Sequence, residues 1–133
     1  MDESDLAARV EAAVAPLDSV AAVYLFGSVA AGTATSTSDI DLGVLYEPAP
    51  PSRLDAGPLD LEGDLERRLG RAVHLVVLNS APADLRIRVL RAERLLVDRN
   101  RSARIRFEVA TRNEFFDLEP MLLAYRAPRR GRQ

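Results

Sequence analysis

The stretch LFGSVAAGTATSTSDIDLGVLY, residues 25–46, combines two apolar runs with a polar segment between them. In the second run, residues 39–46, apolar and other residues alternate, which is typical of a β-strand with side chains on opposite faces. Asp39 and Asp41 therefore share a face, about 6.5–7 Å apart along the strand. Carboxylates at this spacing can converge on Mg²⁺, although solvation of an exposed strand face explains them equally well.

A Gly-Ser pair, Gly27 and Ser28, closes the first apolar run. Glycine permits close approach of the backbone to a phosphate, and the serine adds a hydroxyl group. The residues that follow predict a short helix over 28–32 with Ser28 near its N-cap. A Gly-Ser turn between two strands, followed by Asp-Ile-Asp, is more informative than either motif alone.

Hydrophobic periodicity and turn residues organise the rest of the chain. They predict helices near 4–15, 59–70, 81–92 and 103–125, and strands at 19–26, 39–46, 72–79 and 93–99. This order predicts an α/β (α+β) sandwich, in which a mixed sheet of about four strands is flanked by helices. The strand at 39–46 is expected to be central, and Pro120 to bend or restart the long C-terminal helix. We expect a single domain over 1–126 and a basic tail over 127–133.

Composition excludes several classes of protein. The 133 residues include no cysteine, which rules out disulfides and thiolate metal sites. The acidic, helical N-terminus does not resemble a signal peptide, and no apolar run is long enough for a membrane span. These features predict a cytoplasmic protein that is not inserted in a membrane.

Charge is distributed unevenly along the chain. Residues 1–70 carry 4 Arg and 13 Asp or Glu, whereas residues 71–133 carry 14 Arg and 7 Asp or Glu. All 18 basic residues are arginine. The absence of lysine fits an overall composition bias, but the polarity between the halves favours a polyanionic ligand or an acidic partner.

The segment GSVAAGTATSTSDIDL, residues 27–42, resembles the signature of the DNA polymerase β-like nucleotidyltransferase superfamily. Ser38, immediately before the first aspartate, strengthens the match, as do Ile40 and Leu42. The chain also looks like the minimal nucleotidyltransferases (MNT), the antitoxin half of HEPN/MNT toxin–antitoxin pairs, over nearly its whole length. The segments AVHLVVLNSAPADLRIRVLRAERLLVDR (72–99) and RIRFEVATRNEFFDLEPMLLAYR (104–126) carry this second resemblance.

The resemblance implies a polymerase β-like nucleotidyltransferase fold and a set of site residues. Gly27 and Ser28 would hold the triphosphate of ATP, with Ser38 also in the nucleotide site, and Asp39 and Asp41 would hold Mg²⁺. The implied reaction transfers AMP to a hydroxyl group, with a tyrosine of the partner HEPN RNase toxin as the expected acceptor. No direct contact with nucleic acid is expected.

Two positions depart from the family pattern. Ala31 stands where the family often has an arginine that can contact phosphate. His74, the single histidine of the chain, stands where the superfamily has a third carboxylate, which serves as general base or helps to bind the metal. A neutral imidazole can accept a proton near pH 7 but cannot supply negative charge to a second Mg²⁺. We therefore count His74 as a catalytic residue with altered chemistry, beside the alternative of a packed strand residue.

Three functions remain open at this stage. The first is the AMP-transferring antitoxin just described. The second is a binding antitoxin that neutralises the toxin by contact and has lost much of its catalysis. The third is a nucleotidyltransferase acting on a small molecule, which such a short chain makes the least favoured because those enzymes usually carry a further substrate domain.

Overall fold

The computed structural model describes residues 1–35, 37–49 and 57–126, and for residues 57–59 and 117–126 it describes the backbone alone. The helices within these residues are α1 (Glu3–Val14), α2 (Gly27–Ala31), α3 (Gly57–Leu69), α4 (Ala83–Ala92) and α5 (Arg101–Arg126). The strands are β1 (Val20–Phe26), β2 (Ile40–Tyr46), β3 (Val73–Val77) and β4 (Leu95–Asp98). The predicted basic tail, 127–133, lies outside the described residues, so the domain limits remain a prediction.

The four strands form one mixed sheet in the order β3-β2-β1-β4. Strand β1 runs antiparallel to both β2 and β4, whereas β2 and β3 are parallel. The predictions of a mixed four-stranded sheet flanked by helices, and of an interior position for the strand that contains Asp41, are confirmed.

Alternation along β2 builds a core on each side of the sheet. Ile40, Leu42 and Val44 are buried in the cluster that contains the apolar residues of α1 and α3. Leu45 is buried in the second cluster, with residues of α4 and α5. Asp41 is four residues before Leu45 on β2, so the two side chains lie on the same face of the sheet, the face covered by α4 and α5.

Strand β3 ends earlier than the sequence predicts. The prediction extended it to residue 79, but Leu78–Ser80 form a 3₁₀ turn. In this turn the Asn79 side chain accepts a hydrogen bond from the Tyr46 N–H and donates one to the Tyr46 carbonyl, both at 2.9 Å. The amide side chain thus replaces the backbone pairing that a longer β3 would have made.

Helix α5 begins two residues earlier than predicted and is continuous. The Asn100 side chain accepts a hydrogen bond from the Ala103 N–H at 3.1 Å, which is the contact of a helix N-cap. Pro120 was predicted to bend or restart this helix; it does not restart it, because α5 runs as one element from Arg101 to Arg126, and the bend stays a prediction. None of the helices in the described part of the chain has the length and apolar character to cross a membrane.

A buried polar network fastens α5 to the sheet. The hydroxyl of Tyr24, on β1, donates to Glu108 Oε2 at 2.9 Å, and Arg104 pairs with the same oxygen at 3.1 Å. Arg104 also lies 3.0 Å from Asp98 at the end of β4. Burial, together with the hydrogen bond to Glu108, raises the pKa of Tyr24 far above its usual range.

Tyr24→Phe is expected to lower stability by about 1 kcal/mol at pH 8, because one buried hydrogen bond is lost. Raising the pH from 8 to 11 should lower the free energy of unfolding of the wild type by about 1.4 kcal/mol more than that of Tyr24→Phe. The sign follows from the raised pKa of Tyr24 in the folded state, since above pH 10 this tyrosine ionises only in the unfolded chain. Urea denaturation of both proteins at the two pH values measures the difference, and equal losses would contradict it.

Candidate functional site

The turn between β1 and α2 brings a glycine against a carboxylate. Gly27 has a φ of +76°, a left-handed conformation that side chains disfavour. A Cβ added to Gly27 would lie 2.0 Å from Asp41 Oδ2 and 2.9 Å from its Cγ. Glycine is therefore required at this position for two reasons: the backbone has a positive φ, and the Asp41 carboxylate occupies the space that a Cβ would fill.

Asp41 stands at the centre of a row of three strands. It pairs with Phe26, the last residue of β1, and with His74 on β3. Its Oδ1 lies 3.1 Å from His74 Nδ1, while its Oδ2 faces Gly27. The His74 side chain is 60% exposed and that of Asp41 is 23% exposed, so the pair forms an open site on the surface. His74 thus lies beside Asp41, as the sequence predicts.

Asp39 and Ser38 lie at the entrance to β2. The prediction placed Asp39 inside the strand, but β2 begins at Ile40, and Asp39 is an exposed residue just before it. The Ser38 hydroxyl accepts a hydrogen bond from the Thr35 N–H at 2.9 Å, and its N–H donates to the Thr35 carbonyl at 3.1 Å. Ser38 therefore closes the loop that leads into Asp39.

Ser28 is the second residue of α2 and is half-buried. The sequence places Ser28 near the N-cap of this helix, and the N-cap residue is Phe26, two positions before it; no side chain makes a capping hydrogen bond. The hydroxyl of Ser28 accordingly does not serve as a cap.

Arg71 is a residue of this region that sequence reasoning missed. It lies just before β3, and its Nη2 donates to the Ser38 carbonyl at 2.5 Å and to the Thr35 carbonyl at 3.1 Å. Its Nε is buried and has no hydrogen-bond partner in the described part of the chain. Arg71 fixes the loop that places Asp39. The only signal in the sequence was a single arginine in the turn before VHL, residues 73–75.

Two glutamates of α3 hold the strand that carries His74. Strand β3 is at the edge of the sheet, where backbone N–H groups lack a neighbouring strand. Glu66 Oε2 accepts from the Val73 N–H and Glu62 Oε2 from the Leu75 N–H, each at 2.9 Å. These contacts flank His74 and secure its register beside Asp41. Their sequence signal is a pair of glutamates at i, i+4 on one helix face.

The donor set at this site suits a hard cation. Mg²⁺ is commonly held by one or two carboxylates, with substrate phosphates and water completing the shell. Asp39 and Asp41 provide two carboxylates, and the absence of a Cβ at Gly27 lets the Asp41 carboxylate lie against the turn between β1 and α2. Among the described residues, no group of three or more His, Cys, Asp or Glu forms a ready metal cluster.

Comparisons with known proteins agree with this geometry. A family model described as polymerase beta, nucleotidyltransferase, matches residues 10–102, a range that includes Gly27, Asp41 and His74. The curated proteins contain no significant match.

Solved structures match most of the chain. A chain from a crystal structure of a toxin–antitoxin with AMP-PNP superposes with a TM-score of 0.71 and 26% identity, covering 94% of this chain and 95% of the other. A chain described as a candidate minimal nucleotidyltransferase has 35% identity and a TM-score of 0.55, covering 68% of this chain and 92% of its own.

A third match comes from the complex of a tri-AMPylated Shewanella oneidensis HEPN toxin with an MNT antitoxin. Its identity is 21% and its TM-score 0.68, with 93% of this chain and 95% of the other covered, and at that identity the match supports the fold alone. The predicted fold is confirmed by these comparisons, and so is the resemblance from which it was drawn.

Whether the contact between Gly27 and Asp41 matters for ligand binding can be tested by an alanine substitution at Gly27, with Gly70 as the control. Gly27→Ala and Gly70→Ala should each lower stability by about 1–2 kcal/mol, because both glycines have a positive φ. Nothing lies within 4 Å of a Cβ at Gly70, whereas a Cβ at Gly27 would displace Asp41. Calorimetry should therefore find weaker Mg²⁺-dependent binding of AMP-PNP in Gly27→Ala alone. Equal affinities in the two variants would contradict a role for this contact in the site.

Proposed function

The chain belongs to the polymerase β nucleotidyltransferase family, and from this premise we propose that it is an antitoxin of the minimal nucleotidyltransferase type. In this proposal it transfers AMP from ATP to a hydroxyl group of a partner HEPN toxin and thereby neutralises the toxin. The observation that carries the proposal is the convergence of Gly27, Asp41 and His74 at the ends of three adjacent strands.

Each site residue has a role in the proposed reaction. Asp39 and Asp41 would hold Mg²⁺, which when bound would supply positive charge to the phosphates of ATP. Gly27 and Ser28 receive the triphosphate, because the backbone at Gly27 has no side chain to obstruct it. Ser38 contributes to the nucleotide site through the loop that it closes.

The proposed chemistry is a displacement at the α-phosphorus of ATP. The acceptor hydroxyl oxygen forms a bond to this phosphorus, the bond from the phosphorus to the bridging oxygen breaks, and pyrophosphate leaves. With the proton of the imidazole on Nδ1, donated to Asp41 Oδ1, His74 Nε2 is free to accept the proton of the hydroxyl. Asp41 then orients the histidine through its Oδ1, while its Oδ2 faces Gly27.

The openness of the site supports a macromolecular acceptor. A side chain of a folded partner can reach His74, which is 60% exposed, without entering an enclosed pocket. We propose a tyrosine hydroxyl as the acceptor. The chain from a toxin–antitoxin with AMP-PNP, at 26% identity, supports a nucleotide substrate and a toxin partner.

Asp39→Asn and Asp41→Asn should each abolish AMP transfer, because losing a metal-bound carboxylate removes transition-state stabilisation of several kcal/mol. The assay incubates each protein with labelled ATP, Mg²⁺ and the HEPN protein encoded beside it, and follows label on that protein. Asp18→Asn, which changes an exposed aspartate in the turn between α1 and β1, is the matched control and should transfer at the wild-type rate. Wild-type transfer by the Asp39 and Asp41 variants would reject the two-carboxylate site.

A binding antitoxin without catalysis is the second candidate, and the histidine at position 74 favours it. The superfamily's third carboxylate is replaced there by a group that cannot add negative charge to the site. In this second reading Asp39 and Asp41 hold at most one Mg²⁺ and a nucleotide, and the toxin is neutralised by contact.

His74→Asp and His74→Asn distinguish the two candidates. The aspartate restores an anionic ligand, so it should tighten Mg²⁺ binding severalfold and increase transfer, whereas the asparagine adds no charge and removes the base. Because the side chain is 60% exposed, neither change should alter stability by more than about 1 kcal/mol. If His74→Asp binds Mg²⁺ no better and transfers no faster than the parent, the contact mechanism is favoured.

A further inference from the structure

Over residues 101–116, where its side chains are described, helix α5 packs against the rest of the fold through one face. Ala103 and Thr111 on this face are buried, and Phe107 packs in the cluster with Tyr24, their ring centroids 6.3 Å apart. The guanidinium of Arg91 on α4 lies 4.9 Å from the ring centre of Phe115. This inner face of the helix is therefore covered by α4 and the sheet.

The opposite face of α5 is apolar as well. Ile105, Val109 and Phe116 are 41%, 51% and 64% exposed. Their spacing of i, i+4 and i+11 places them in one row along the helix. They are three of the five large apolar side chains that are exposed in the described part of the chain. A row of this kind on a helix that already has a core face is typical of an interaction surface.

Within residues 101–116, the two glutamates of α5 bind groups on neighbouring elements. Glu108 is mostly buried and accepts from the Tyr24 hydroxyl, whereas Glu114 is half exposed and pairs with Arg86 on α4. The arginines beside the apolar row point outward: Arg101, Arg106 and Arg112 are all exposed. The ion pairs of the last two are long, 3.7 Å to Glu47 and 3.9 Å to Glu108. The outer face of α5, over residues 101–116, thus combines an apolar row with three arginines, two of which have only a long ion pair to a carboxylate.

We propose that this outer face of α5 docks the partner toxin, through a surface of the toxin that has an apolar ridge and acidic side chains along its rim. The inference rests on the proposed function for the identity of the partner. Complementary charge favours an acidic partner and accelerates its association. A second copy of this chain fits less well, because a twofold contact would bring the three arginines of each copy together, with only the long ion pairs to Glu47 and Glu108 to offset their repulsion.

The location of this face suits delivery of an acceptor to the site. Helix α5 covers the same side of the sheet from which Asp41 and His74 project. A toxin docked on α5 therefore lies on the side of the molecule where AMP transfer would occur. A catalytic antitoxin and a contact antitoxin would both use this surface.

Val109→Glu and Phe116→Glu test the docking surface. Each should weaken binding of the adjacent-gene HEPN protein at least about tenfold, because an apolar anchor is lost and a carboxylate faces an acidic rim. Ala12→Glu adds the same charge at an exposed position of α1 and should leave the affinity unchanged. Calorimetric titration with the HEPN protein gives the affinities, and melting curves should show all three variants folded like the wild type.

Each result bears on the proposal in a defined way. Wild-type affinity in both α5 variants overturns the docking surface, even if AMP transfer proceeds. Loss of affinity in these variants supports it, even if the wild type transfers no AMP and the enzymatic function fails. If the wild type does not bind the HEPN protein at all, both proposals fall. If light scattering finds the protein alone to be a dimer that Phe116→Glu dissociates, the occupant is a second copy and the proposal is wrong.

Discussion

The site depends on the register that aligns Phe26, Asp41 and His74 across three neighbouring strands. This alignment brings the end of β1 level with the start of β2, so that the turn after Phe26 passes over the Asp41 carboxylate. The turn fits only because Gly27 has no Cβ, since a single added carbon would lie 2.0 Å from Asp41 Oδ2. A slip of one residue in β2 would send Asp41 into the α1/α3 core and its apolar neighbours to the other face. Burial of the core and placement of the carboxylate are therefore specified by the same alternation.

The edge of the sheet needs additional support, because His74 is on a strand of five residues with a neighbour on one side only. Glu62 and Glu66 take the place of a further strand by accepting hydrogen bonds from backbone N–H groups on either side of His74. Arg71 then joins the start of β3 to the loop before Asp39. Part of the acidic character of the first 70 residues thus has a structural use in holding β3. The charge difference between the two halves of the chain cannot be attributed to a partner alone.

Periodicity was enough to predict the fold, because helices and strands with one or two apolar faces leave regular patterns in the sequence. It also predicted the contact of His74 with Asp41, since strand alternation determines which side chains share a face. The contacts of Arg71, Glu62 and Glu66 were missed because each joins a side chain to backbone groups of another element. Such pairs exist only after the elements have packed. The start of α2 was predicted one residue late, at residue 28, because periodicity does not indicate the left-handed conformation that Gly27 adopts there.

Both proposed forms of antitoxin make use of one sheet face, but they require different parts of it. Contact neutralisation would need the outer face of α5, where arginines lie beside an apolar row. AMP transfer would need, in addition, a base and enough negative charge around Asp41 to hold Mg²⁺. In the proposed reaction His74 would supply the base without adding that charge, so Asp41 would both orient the imidazole and help to hold the metal. The choice between the two forms therefore lies in the chemistry of position 74, while the docking surface is common to both.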